Sequence, residues 1–476
     1  MQQLSGGDAL FLKVEMDNCP MHIGGVSIYD QSTAPGGKVR FKNILKTFAS
    51  RLDRSAIFRR KLLHAPMNMD QPYWIDDEDF DLEFHVRHIA LPKPGDWRQL
   101  CIQVARLHAR PLDQSHPLWE AYIIEGLNHI EGVPAGSFAV YIKAHHCALD
   151  GITGLRFFGA INDITAEPPA LDAADWKAKP KPSYSQLMGK AYLNRLRRSY
   201  DMVKLAGKIG PTRKRLQQAR DDGKIQPIDS VPATRFNEAI SPHRVLDAVK
   251  FDFEAIRQIK NSVPGTTIND AVLAIISGAM RKYLNSHGEL PDEPLVTGCP
   301  IDVRDESNRE AAGNMIGMMS VSLRSDIDDA HERFVAIHQA AQSAKNQAEA
   351  LGPGIAMEIA ETVPTGIQSA VIRLAVSSGM AERNAVLNTI ITNVPGSPVQ
   401  LYLCGARQVD AIGLGPIAPG TALFHTVNSL VLNKKGSITI SFVACRDAMP
   451  DPAFYSQCLE ESYQELKSAC EAQAGE

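Results

Sequence analysis

The run SFAVYIKAHHCALDGITGLRFF, from Ser137 to Phe158, restricts the folds open to this chain more than any other segment. Phe138, Val140, Ile142 and Ala144 alternate with Ala139, Tyr141 and Lys143, which is the two-residue period of a strand. After Gly151 the apolar positions Ile152, Leu155, Phe158 and Ile161 recur at helical steps. Strand, turn and helix in that order put His145, His146, Asp150 and Gly151 in the turn, where mixed α/β folds fix side chains over a crevice. If the alternation persists through the pair, His145 and His146 point to opposite faces, so one can reach a substrate while the other packs. An imidazole with a reference pKa near ~6.5 suits taking a proton from an alcohol and passing it to a leaving thiolate. Asp150 is spaced to turn back and hold the loop. From the residues alone, several roles stay open: core and loop histidines, a general base, a metal site that lacks a suitably spaced third ligand, and a Cys147–histidine nucleophile, which sequence neighbours are poorly placed to form.

At 476 residues the chain has room for two or three domains. Strands and helices alternate in both halves, so two α/β domains joined by a long connection are the simplest reading: 1–165, a linker over 166–240, and 241–476. The segment EPPALDAADWKAKPKP, Glu167 to Pro182, reads as the start of the linker. After it Met188, Tyr192, Leu196, Tyr200 and Val203 fall at helical steps, with Arg195, Arg197, Arg198, Lys204 and Lys208 on other faces, the pattern of a basic amphipathic helix. Such a helix can lie on anionic lipid or serve as a connector that packs its apolar stripe on a domain. Thr267 followed by Asp270 reads as a capping box opening an apolar helix from Ala271 to Leu284. Ser429–Leu432 and Ser437–Ala444, joined through Asn433-Lys434-Lys435-Gly436, read as a hairpin.

The formal net charge of -4 argues against a nucleic-acid partner. The eight cysteines show no CxxC pair or regular spacing, which favours free thiols in a reducing, cytoplasmic setting. The amino terminus lacks the basic and apolar regions of a secretory signal. No apolar run approaches the ~20 residues of a membrane-spanning helix, so membrane contact is expected to be peripheral.

HHCALDG matches the HHxxxDG motif of the CoA-dependent acyltransferase superfamily, which includes the condensation domains of nonribosomal peptide synthetases. Other blocks resemble the bacterial wax ester synthase/diacylglycerol acyltransferase family over nearly the whole chain. These are LSGGDALFLKVEMDNCPMHIGG, WIDDEDFDLEFHVRHIALPKPG and PLDQSHPLWEAYIIEGL before the histidines, then TTINDAVLAIISGAMRKYL, PIDVR, GNMIGMMSVSL and TNVPGSPVQLYLCGA. His116 and Thr392 depart from the residues common there, Arg and Ser.

The resemblance implies an α/β (α+β) fold of two chloramphenicol-acetyltransferase-like domains with the active site in a tunnel between them. It implies acyl transfer from acyl-CoA, a substrate rather than a cofactor, to a long-chain alcohol or diacylglycerol, at a membrane surface or neutral-lipid inclusion, with no metal or other cofactor. His146 is then the base, His145 its neighbour, and Asp150 and Gly151 the organisers of the loop. Asn269 becomes a candidate donor to the developing oxyanion, and Pro117, Leu118, Trp119, Asp270, Arg304 and Asn393 candidate substrate contacts. Pro117-Leu118-Trp119 equally fits core packing, and capping alone accounts for Thr267 and Asp270. A free-standing condensation enzyme using carrier-protein thioesters and a non-catalytic coat of lipid inclusions are the rival readings.

Overall fold

The computed structural model describes residues 2–149, 157–167, 176–302, 316–352, 362–363, 368, 370–371, 374, 378–432 and 435–474. Among these the first half supplies helices α1 (Gly6–Val14), α2 (Phe41–Ala49) and α3 (Trp97–His108) and strands β1 (His22–Asp30), β2 (Val86–Ala90), β3 (Trp119–Leu127) and β4 (Ser137–His145). A long helix α4 (Tyr184–Asp221) follows. The second half supplies α5 (Phe253–Ser262), α6 (Ile268–Ser286), α7 (Ala330–Leu351) and α8 (Pro452–Ala474). Its strands are β5 (Arg244–Asp252), β6 (Val296–Asp302), β7 (Ile316–Ser322), β8 (Thr389–Pro395), β9 (Tyr402–Leu403), β10 (Ala406–Leu414), β11 (Leu423–Leu432) and β12 (Lys435–Cys445).

Two six-stranded mixed sheets organise the chain, ordered β9-β10-β1-β4-β3-β2 and β7-β6-β8-β11-β12-β5. The first is not built from the first half alone. β10 runs antiparallel to β1, pairing Gly413 with Gly25 and Arg407 with Asp30, so the second half completes the first sheet. β4 lies inside that sheet between β1 and β3, and every residue from Ser137 to His145 is buried. The strand that carries the histidines is therefore held on both edges.

α6 opens with the capping box read from sequence: the Thr267 hydroxyl accepts from the Asp270 amide at 3.2 Å, and the Asp270 carboxylate accepts from the Thr267 amide at 2.8 Å. From Asp270 to Met280 every residue is buried, because α7 and α8 cover the helix as well as the sheet beneath it. A helix apolar on all sides can only sit in a core, and each buried Leu or Ile contributes about 1.5–3 kcal/mol relative to exposure. Gly278 allows the closest approach, since a Cβ there would lie 2.2 Å from the Ser462 hydroxyl of α8.

One apolar cluster runs through both halves, joining Leu100 and Val104 of α3 to Leu246 and Phe251 of β5 and to α6. Polar ties reinforce it: the Trp97 indole donates to Asp247 at 2.6 Å, and Arg244 donates to the Asn18 carbonyl at 2.5 Å. The β11–β12 hairpin is present, but β12 starts at Lys435, so Lys435 and Gly436 belong to the ladder rather than to the turn. Gly436 has φ 149°, and a Cβ there would meet the Leu430 carbonyl oxygen at 1.9 Å. All eight cysteines are free thiols.

α4 has the extent its periodicity predicts, but its inward face is not the aromatic stripe. Leu187 and Ala191 are buried, and Asn194 and Arg198 each donate to Asp70 at 2.7 Å. Tyr192, Leu196, Tyr200 and Val203 are 64, 55, 72 and 73 % exposed. The far end of α4 lies on α7, where the chain beyond it is held by Ser343, whose hydroxyl accepts from the Gln226 amide at 2.7 Å. α4 thus straps the first lobe to the second with its apolar face outward.

Candidate active site

β4 ends at His145, and His146 opens a short 3-10 turn, His146–Ala148. The turn begins because the His145 ring caps it: Nδ1 accepts from the Cys147 amide at 3.1 Å. A ring nitrogen that accepts carries no proton, so the His145 proton sits on Nε2, facing the Glu15 carboxylate at 3.4 Å. Burial works to raise the Glu15 carboxyl, but hydrogen bonds and charge from His145, the Met21 amide and Gln114 outweigh it and hold Glu15 below the usual carboxylate range. His145 is fully buried. Its capping bond and its carboxylate leave it a structural part of the turn.

His146 is placed differently. Its amide donates to the Met21 carbonyl at 2.9 Å, and its ring stacks on Phe11, with centroids 3.8 Å apart and planes 10° from parallel. Burial pulls its pKa down to about 4. The ring is therefore neutral at physiological pH. Strict alternation would send the two rings to opposite faces. Instead both meet α1 and its C-cap, at Phe11 and Glu15, because the 3-10 turn starts one residue before the alternation would end.

Beneath the turn lies a buried polar layer that the sequence reading did not single out. His22 stands opposite His145 in the ladder, and its Nε2 bonds the His108 carbonyl at 2.5 Å. The His108 ring bonds the Tyr141 hydroxyl at 2.8 Å and reaches the Gly415 carbonyl of the second half at 3.2 Å. Lys143 is wholly buried. Its ammonium donates to the Leu107 and Arg110 carbonyls at 3.1 and 2.7 Å and lies 3.4 Å from Glu120, while burial lowers its pKa to about 8. Burial also depresses His22, and brings His108 to about 3. Lone histidines and a lysine on apolar stretches gave no signal in the sequence, because their partners are far apart along the chain.

The remaining predicted site residues fall into separate surroundings. Pro117 and Leu118 are buried beside the turn, and the Leu118 carbonyl accepts from the His145 amide at 2.9 Å. Trp119 is 0 % exposed, edge-on to Phe58 and stacked with His85 at 4.6 Å, with its indole donating to the Phe58 carbonyl at 3.1 Å. Packing and the ladder account for all three, and they brace the strand that carries the histidines. Asn269 is half-buried on the first turn of α6. Asp270 is buried, its carboxylate engaged by the Thr267 amide and by His338 at 3.0 Å. Asn393 is exposed on β8, opposite Val427. Asp150, Gly151 and Arg304 lie outside the described residues. Among the described residues no three of His, Cys, Asp and Glu gather as a metal site.

His146 is thus a neutral histidine at a strand end, over a core that joins the two halves of the chain. Residues 4–272 match the wax ester synthase/diacylglycerol acyltransferase catalytic domain, and 312–467 match the WS/DGAT C-terminal domain. The chain belongs to the wax ester synthase/diacylglycerol acyltransferase family.

A putative diacylglycerol O-acyltransferase of Mycobacterium tuberculosis is 30 % identical over 472 residues, covering 98 % of this chain and 90 % of the relative. A probable diacylglycerol O-acyltransferase of the same species is 29 % identical over 480 residues, covering 98 and 99 %. In structure, the wax ester synthase/diacylglycerol acyltransferase of Marinobacter aquaeolei VT8 superposes with a TM-score of 0.68 at 25 % identity over 99 % of this chain and 100 % of that one. The starter condensation domain of rhizomide synthetase superposes at 0.54 over 99 and 95 %. At 14 % identity that second likeness shows the two-domain fold alone.

Proposed function

We propose that this protein moves a fatty acyl group from acyl-CoA to the hydroxyl of a long-chain alcohol or a diacylglycerol, with His146 as general base. The observation that carries this reading is the state of His146: a ring kept neutral by burial and stacked on Phe11 at the end of β4. In the step, the unprotonated ring nitrogen of His146 takes the acceptor hydroxyl proton as the oxygen attacks the thioester carbon. The C–S bond then breaks, and the proton passes from the ring to the departing thiolate, giving an ester and free CoA. General-base help of this kind supplies ~10²–10⁴-fold. Asn269, near the positive end of α6, is the candidate donor to the oxyanion, and Asp150 and Gly151 the holders of the loop. Arg304 and Asn393 remain candidate substrate contacts. The family of the chain and the names of its relatives support the acceptor class.

The outward face of α4 favours work at a lipid surface. Among the described residues no helix is long and apolar enough to cross a membrane. Tyr192, Leu196, Tyr200 and Val203 form an exposed stripe, with Arg197 and Lys204 beside it, suited to an interface with anionic headgroups. Mixing the protein with palmitoyl-CoA and following free thiol, with and without hexadecanol or dipalmitoylglycerol, tests the chemistry. Thiol release that needs the alcohol supports transfer. Release only in the presence of an acyl carrier protein would instead identify a condensation enzyme, and none under any condition a coat protein.

A further inference from the structure

The loop that joins α1 to β1, residues 15–21, meets the histidine turn at both of its ends. At the first end the Glu15 carboxylate uses its two oxygens differently. Oε2 accepts from the Gln114 side-chain amide at 2.7 Å and faces His145 Nε2 at 3.4 Å, while Oε1 accepts from the Met21 amide at 3.2 Å. At the other end the Met21 carbonyl accepts from the His146 amide at 2.9 Å. One carboxylate therefore stands a single contact from the ring that caps the turn and a single residue from the main chain of His146.

The middle of the loop is gripped by the second half. Arg244, 5 % exposed at the start of β5, donates to the Asn18 carbonyl and also to the Ser241 and His243 carbonyls. The Asn18 side chain donates in turn to the Ile240 carbonyl at 2.9 Å, and the Cys19 thiol to the Ile417 carbonyl at 3.2 Å. Bonds to Ile240, Arg244 and Ile417 thus converge on two adjacent residues. The loop has little freedom between its middle and its ends. Met16 and Cys19 exchange both main-chain hydrogen bonds, at 3.2 and 2.9 Å, and Pro20 fixes its own φ just before Met21. Coupling between distant groups is carried by short, rigid, hydrogen-bonded elements of this kind.

We propose that this loop is the register through which the second half sets the place of His146, with Glu15 and Arg244 as positioning residues for the transfer. Neither touches a substrate in this role. The proposal rests on His146 as the base, and it adds that the base is in place only while both halves grip the loop. Small shifts matter, because a displacement of about 1 Å at a reacting group can cost about 10²-fold in rate.

Three variants loosen the grip at different points. Glu15→Gln sets an amide donor against one of the donors that the carboxylate now receives. Asn18→Ala removes the bond to Ile240 from a half-buried side chain. Arg244→Lys leaves one ammonium for carbonyls that a guanidinium serves together. Each should lower kcat about tenfold and leave KM for palmitoyl-CoA and for hexadecanol unchanged, because no substrate contact is lost. Since all act on one turn, Glu15→Gln combined with Asn18→Ala should cost little more than the worse single change.

Hydrogen exchange supplies a readout that needs no turnover. The His146 amide should exchange about tenfold faster in Glu15→Gln and in Asn18→Ala, with the amides in the middle of β4 unchanged. Arg244 is buried, so where Arg244→Lys fails to fold, Asn18→Ala carries the test. Unchanged exchange at His146 in Asn18→Ala would overturn the proposal. So would full additivity in the double variant, or a rise in KM with kcat intact. Retained activity in His146→Ala would sink the base instead, and exchange at His146 would still decide whether the loop holds the turn.

Discussion

Mild acid should unfold this protein, because several of its histidines are buried in the neutral state. Burial holds His85 and His146 at about 4 and His108 and His425 at about 3, against an ordinary value of 6.5. Above 6.5 neither the folded nor the unfolded chain protonates these rings, and the stability linked to them is fully present. As pH falls below 6.5 the unfolded chain takes up protons that the folded chain refuses, so stability falls with pH. At about pH 5 each ring costs about 2 kcal/mol, and the four together about 8 kcal/mol, at 1.36 kcal/mol per pKa unit. That is comparable to the whole stability of an ordinary domain, about 5–15 kcal/mol. Glu15, held below the carboxylate range, titrates under this window and does not offset the loss. Urea melts at half-unit steps from about pH 7.5 to pH 5 should show the midpoint dropping steeply below about pH 6.5. The base itself should not titrate in that range, so kcat/KM at about pH 6 should match that at pH 7.5, where a histidine of ordinary pKa would lose about fourfold. A flat midpoint across the window would refute the buried-neutral state, and a kcat/KM inflection near 6.5 would refute it for His146.

Other consequences can be measured directly. His146→Ala should lower kcat by at least ~10²-fold with little change in melting temperature. His145→Ala should instead lower the melting temperature along with activity, because the ring caps the turn and faces Glu15; equal kinetic losses in two equally stable variants would contradict that division of roles. Replacing Tyr192, Leu196 and Tyr200 together by Ser should abolish co-sedimentation with phosphatidylglycerol vesicles without lowering the melting temperature, since all three are exposed. A drop in stability with vesicle binding retained would mean that the stripe packs on the protein. Gly278→Ala should destabilise by about 1–3 kcal/mol through the clash with Ser462, read from the shift in the urea midpoint; no shift would mean that α6 and α8 separate at no cost.

Features set by neighbours in sequence were legible before the structure. β4 and its turn, the capping box of α6 and the extent of α4 all follow from short periods and caps. Features set by pairing across the chain were not. Nothing local marks Phe11 and Glu15 as the supports of the histidine turn, or Gln71 as a buried side-chain amide without a hydrogen-bond partner among the described residues. Trp119 illustrates the opposite difficulty. An aromatic beside a chemical motif reads equally as channel or core, and only its contacts with Phe58 and His85 decide that it packs. Likewise the period of α4 revealed an apolar stripe but not its direction. The inward face was chosen by Asp70, whose carboxylate captures Asn194 and Arg198.

The pairing of β10 with β1 gives the order of synthesis a bearing on yield. β1 is made within the first thirty residues, yet its partner strand Ala406–Leu414 leaves the ribosome only after nearly all of the chain. At ribosomal speeds of about 5–20 residues per second, the wait is on the order of 20–80 s. Throughout it one edge of the first sheet presents unpaired amides and carbonyls, the state in which strands join the wrong neighbour. A fragment ending before residue 400 would keep that edge open permanently and should collect in inclusion bodies. Slower growth or added chaperone should raise the soluble fraction of the full-length protein more than it does that of the fragment.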